Sequence, residues 1–214
     1  MPKPPRSGRV PMSLVLVAAL AAGLGLWAAQ RVFMPADTLP QTQTVRLLNA
    51  PRELPPFALE TPAGVLDATA LQGRWSLVFL GFTHCPDVCP TTLAELGKAE
   101  KLWSAQLPAE KQPRIVFVSV DPERDSAEIT AKYARYFSPE AIGATGKPEA
   151  LTKFAASLNM VFAKSPVDED GNYSVDHTSW VALLDPQARL AGFIRPPLDP
   201  AAIAADLRTL AAER

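Results

Sequence analysis

The chain is poor in the residues that bind soft metals and carry redox chemistry, with two cysteines and two histidines in 214 residues. Neither sign of charge dominates: 21 Lys and Arg stand against 22 Asp and Glu, for a formal net charge of −1. No basic stripe interleaved with aromatics occurs, so nucleic acid is excluded as a partner. There is no internal repeat and only one long uncharged apolar run. Proline is the exception to this scarcity, its 22 residues being about twice the average share. Much of the excess falls before Glu60 and near the C-terminus, which marks linkers and turns. The length suits one domain with extras.

The apolar run extends from Met12 to Ala29 and carries no charge. At about 1.5 Å per residue it reaches close to the ~30 Å of a bilayer core. Lys3, Arg6 and Arg9 precede it, which predicts a cytoplasmic N-terminus (1–11), a transmembrane anchor (12–30) and an exported C-terminal domain. A cleaved signal peptide is the rival. Cleavage after Ala29 would put Trp27 where a small residue is needed. No cysteine follows closely, which argues against a lipid anchor. The run also lacks an Arg- and Ser-rich transit pattern, so the expectation is a bacterial inner membrane with the domain in the periplasm. A Pro-rich tether follows over 31–54, with at most a short strand at Gln43–Leu48.

The domain is expected over 55–214. Phe57–Glu60 and Val65–Leu66 read as a small hairpin, and Ser76–Phe82 and Arg114–Val120 as buried strands. Thr91–Leu107 reads as a helix, Asp125-Ser126-Ala127-Glu128 as the capping-box start of another running to about Phe137, and Lys147–Leu158 as a third. Met160–Ala163, Ser179–Leu184 and Leu190–Arg195 read as strands, and Pro200–Glu213 as a final helix. This order predicts an α/β, thioredoxin-like mixed sheet flanked by helices.

Both cysteines lie in Phe82-Thr83-His84-Cys85-Pro86-Asp87-Val88-Cys89-Pro90, where the strand gives way to a helix. A helix starting at Pro90 would set Cys89 at the N-cap, where unpaired N–H groups lower a thiol pKa. The pair can serve as a redox switch or as two soft metal ligands. A purely structural disulfide is a poor third use, because so short a loop removes little unfolded-state entropy. Three intervening residues, against two in thioredoxin-type reductases, leave room for a bridging ion.

Of the two histidines, His84 adjoins Cys85 and is expected to point away. His177 precedes a buried strand, in a loop that a thioredoxin-like sheet brings to the start of the Cys helix. Two sulfurs and an imidazole suit Cu(I), and the imidazole also accommodates Cu(II). Asp176 is a candidate to orient His177. Met160 reads as strand core, Asp121 and Glu123 as turn and cap residues, and Asp168-Glu169-Asp170 as a solvated loop.

Three motifs in order, Phe82–Pro90, Ser119-Val120-Asp121-Pro122-Glu123-Arg124-Asp125 and Val175-Asp176-His177-Thr178, resemble those of the Sco/SenC family. Its members are membrane-anchored, thioredoxin-like copper proteins that help assemble cytochrome c oxidase. The resemblance implies that Cys85, Cys89 and His177 ligate copper. It also implies copper delivery to the oxidase's binuclear copper site, or reduction of that site's cysteines. The implied partners are the oxidase's copper-site subunit and other copper carriers or thiol reductants. Trp180 beside the His loop and the Pro-rich spacer depart mildly from the family pattern. A metallochaperone without catalytic turnover is the first reading, and a thiol–disulfide oxidoreductase using Cys85 and Cys89 the second. A peroxidase is third, since no arginine lies within the motif.

Overall fold

In this computed structural model, residues 11–33 and 40–212 are described. The expected cytoplasmic segment, with Lys3, Arg6 and Arg9, lies outside them, as do residues 34–39. Two compact units divide the chain, Met1–Leu39 and Pro40–Arg214. The first contains α1 (Met12–Phe33), whose stretch Met12–Ala29 is long and apolar enough to cross a membrane.

In the second unit, β1 (Val45–Arg52) is followed by the hairpin β2 (Leu59–Thr61) and β3 (Gly64–Leu66), and by one turn of helix, α2 (Ala68–Leu71). The strand β4 (Ser76–Gly81) leads into α3 (Val88–Ser104), and β5 (Arg114–Ser119) into α4 (Ala127–Phe137). Then come β6 (Ile142–Ala144), α5 (Pro148–Ser157), β7 (Phe162–Lys164) and β8 (Val175–His177). The chain finishes with β9 (Val181–Leu184), β10 (Leu190–Ile194) and α6 (Pro200–Ala212).

The main sheet has the order β1-β10-β9-β4-β5-β6. β4, β5 and β6 are parallel, whereas β9, β10 and β1 join antiparallel. Every residue of β4 is buried, and five of the six in β5, as their nearly unbroken apolar sequences require of strands covered on both faces. Two parallel crossovers, β4–α3–β5 and β5–α4–β6, step the same way across the sheet. Right-handed connections then put α3 and α4 on one face, where α3 also packs against α6.

The sheet corrects the expected start of the domain. β1 lies wholly within the stretch assigned to the tether, yet pairs with β10 from Val45↔Ile194 to Arg52↔Leu190. A buried carboxylate secures it. Asp206 of α6 accepts the backbone N–H of Gln43, Thr44 and Val45 at 2.8, 2.7 and 3.0 Å, and the Thr44 hydroxyl at 2.8 Å. The folded unit therefore begins at Pro40 rather than at 55.

Topology sets the position of the site. Parallel strands β4 and β5 end on the same side of the sheet. The antiparallel pairing Phe79↔Val181 puts the start of β9 beside the end of β4. The segment just before β9 therefore arrives next to the Cys loop.

Candidate metal centre

The helix α3 begins earlier than Pro90. Its N-cap is Asp87, so Cys89 is the second helical residue and Pro90 the third. This changes which sulfur meets the helix end. Cys89 is fully buried and belongs to the hydrophobic core. Its backbone N–H, one of the unpaired first-turn donors, points instead at Cys85 Sγ, 3.4 Å away. Cys85 is partly exposed, and both thiols are free.

The expectation of a lowered Cys89 pKa is also corrected. Burial pushes this thiol well above its ordinary 9.0, outweighing a hydrogen bond from the Phe82 backbone; Cys85 and Asp125 push in the same direction as burial. In the metal-free protein Cys89 is therefore a protonated core thiol at neutral pH.

Space for that sulfur comes from Gly81 at the end of β4. A Cβ there would lie 2.7 Å from Cys89 Sγ and 2.8 Å from the Phe117 ring. Gly81 lies outside the candidate residues of the motif, although a glycine inside an otherwise large-residue strand is a sign of close approach.

His177 closes β8. Its Nδ1 lies 3.2 Å from the Thr178 carbonyl, to which it donates, which leaves the Nε2 lone pair facing Cys89 Sγ at 3.4 Å. The Phe79 and Phe82 rings meet the imidazole edge-on, with centroids at 5.7 and 6.2 Å. Burial lowers the His177 pKa from its ordinary 6.5, against opposing contributions from the Thr178 carbonyl and Asp176. The neutral imidazole is the form that ligates metal.

The ligand atoms of Cys85, Cys89 and His177 all lie within 4.8 Å of one another. Two donors each about 2.3 Å from one ion are no more than about 4.6 Å apart, so small side-chain shifts suffice for all three to reach it. Two sulfurs, one of them buried, and a neutral imidazole form a soft donor set that fits copper.

The remaining candidates fall elsewhere. His84 is exposed, with Nδ1 at 3.2 Å from Thr83 Oγ1 and 3.6 Å from Asp125. Asp176 is exposed, and the Thr178 carbonyl rather than its carboxylate receives the His177 Nδ1–H. Met160 is core. Asp168 accepts the N–H of Asp170 and Asn172 at 3.1 and 2.6 Å, which makes the acidic loop a self-capped turn. Trp180 packs on Phe193 and lies under the Arg195 guanidinium at 4.0 Å.

A thioredoxin-like sheet with a sulfur–sulfur–imidazole cluster at the ends of its central strands defines the class of protein. A model of the SCO1/SenC family matches residues 46–212, and the chain belongs to that family. A structure of Bradyrhizobium japonicum ScoI with copper bound is 34% identical, with a TM-score of 0.64 over 72% of this chain and 96% of that one. Apo Sco1 from Thermus thermophilus is 36% identical, with a TM-score of 0.70 over 80% and 99%. The human mitochondrial SCO1 homolog is 36% identical over 157 residues, 72% of this chain but only 51% of the human one.

Proposed function

We propose that this chain is a copper-binding assembly factor whose ligands are Cys85, Cys89 and His177. The carrying observation is that three soft or borderline donors, brought from a loop, a helix and a hairpin, lie within 4.8 Å in a chain whose relatives include a copper-bound structure. Two thiolates retain Cu(I), and the imidazole adds a ligand suited to Cu(II). Its task in this reading is to deliver copper to the binuclear site of cytochrome c oxidase, or to prepare that site's cysteines. Other copper carriers or thiol reductants would supply it.

The reading includes a single-pass anchor at 12–30 in a bacterial inner membrane, N-terminus inside, with the domain in the periplasm. A periplasm-active reporter fused after Glu60 should be active and remain in the membrane fraction. A general thiol–disulfide reductase is less well supported, because exchange between Cys85 and Cys89 has no need of an imidazole, whereas His177 Nε2 lies 3.4 Å from Cys89 Sγ.

Copper titration of the reduced protein tests the assignment. Cys85→Ser or Cys89→Ser should abolish tight Cu(I) binding, whereas His177→Ala should weaken Cu(II) more than Cu(I). Unchanged binding in the double Cys85→Ser, Cys89→Ser variant would reject these ligands.

A further inference from the structure

Between β5 and α4 the chain makes one tight turn, Asp121-Pro122-Glu123-Arg124-Asp125. The amides of Arg124 and Asp125 donate to the Asp121 carbonyl at 3.2 and 3.0 Å. None of its side chains belongs to the donor triad, yet they hold both halves of the site.

On the cysteine side, fully buried Asp125 accepts the Thr83 N–H at 2.8 Å, the Thr83 hydroxyl at 2.5 Å and the Ser119 hydroxyl at 2.5 Å. Thr83 is two residues from Cys85, so this carboxylate fixes the loop where it leaves β4.

On the histidine side, β7 and β8 form a two-stranded sheet separate from the main one. An isolated two-stranded ribbon is marginal, so its place against the domain depends on side-chain contacts. Val175 and Phe162 pack on the core, and the turn adds polar contacts through Tyr173. Arg124 lies on the Tyr173 ring at 3.7 Å and donates to the Tyr173 carbonyl at 3.1 Å. Buried Asp121 accepts Arg124 Nε at 2.5 Å and the Tyr173 hydroxyl at 2.8 Å. Lys164 of β7 meets Glu123 at 2.6 Å. The same Arg124 guanidinium sits 5.8 Å from the Phe82 ring, which packs on His177.

We propose that the Asp121–Asp125 turn is the positioning element of the site: Asp125 registers the cysteine loop, and Asp121 with Arg124 registers the His177 hairpin through Tyr173. The effect on copper rests on the function proposed above, whereas the clasp is a property of the metal-free chain. Removing Arg124 frees the hairpin and withdraws the imidazole without touching either sulfur. Removing the Asp125 charge loosens the cysteine loop and affects every ion that uses Cys85.

The test uses the full chain in detergent, reduced and metal-free, as Arg124→Met and Asp125→Asn. In Arg124→Met, amide exchange at Val175–His177 should rise at least about tenfold, with β5 unchanged. Its Cu(II) affinity should fall about tenfold and its Cu(I) affinity less than about twofold. Adding Arg124→Met to His177→Ala should cause no further Cu(II) loss. Asp125→Asn should weaken both ions alike. Unchanged hairpin exchange in Arg124→Met, or an equal Cu(II) loss in the His177→Ala background, would overturn the proposal. Should Arg124→Met fail to fold, Tyr173→Phe removes the hydroxyl's bonds to Asp121 and Glu123, keeps the ring under Arg124, and gives the same readouts at smaller amplitude. A wild-type chain that binds no copper would reject the proposed function and leave hairpin exchange to decide the clasp.

Discussion

His177 Nε2 and Cys89 Sγ lie 3.4 Å apart although 88 positions separate them in the chain. One is on a hairpin and the other on a core helix. In the metal-free protein they form a thiol–imidazole contact, the Nε2 lone pair facing the Cys89 sulfur, because burial raises the thiol pKa and lowers that of the imidazole.

On the proposed ligand set, that contact sets the pH dependence of copper binding. Copper held by the proposed ligands would need the Cys89 thiolate, so each ion bound should release the proton that Cys89 holds at neutral pH. His177 is already neutral there and releases none. Affinity for Cu(I) should therefore rise with pH by at least about tenfold per unit between about pH 6 and 8. Competition titrations at several pH values would measure the slope, and a flat profile would contradict a protonated Cys89.

Gly81→Ala should injure fold and site together. The added methyl meets sulfur on one side and the Phe117 ring on the other, an overpacking worth about 1–3 kcal/mol. Thermal unfolding of the metal-free variant should show the loss, and copper affinity should fall as Cys89 Sγ is displaced. Adding Phe117→Leu should restore part of both.

Asp206→Asn should destabilise the domain by about 2 kcal/mol at neutral pH, since the oxygen that accepts Thr44 and Val45 is replaced or turned away. Burial raises the Asp206 pKa, but hydrogen bonds from Gln43, Thr44 and Val45 outweigh it and hold the carboxyl below its ordinary 3.8. The folded pKa is the depressed one, so the stabilisation is complete above 3.8 and is lost as pH falls through the folded value. Melting curves of the two proteins should converge in acid. A gap that persists there would assign the effect to shape rather than charge.

The parts legible in the sequence were those whose burial pattern is uniform. β4 and β5 are apolar almost throughout because both faces are covered, and the site motifs lie at their ends. β6 was not foreseen. It has three residues, and its middle one, Gly143, must lack a side chain because a Cβ would come 2.5 Å from the Ala131 backbone. β1 resembles tether in sequence because only its first residue is fully buried; its partner β10 and the Asp206 clamp lie more than a hundred residues away. Pro90 misled the start of α3, being admissible at any first-turn position, where no intrahelical N–H bond is lost. The Asp121–Asp125 segment is legible as a turn, but its grip on Thr83 and Tyr173 is visible only in three dimensions.

At Gly81 the strand gives up its own side chain, and a sulfur from the following helix fills the vacancy. Cys89 is thereby a brick in the wall as well as a hand at the door. An ion bound as proposed would pull on an atom that the interior also depends on, so its arrival should register as a change in rigidity deep in the sheet.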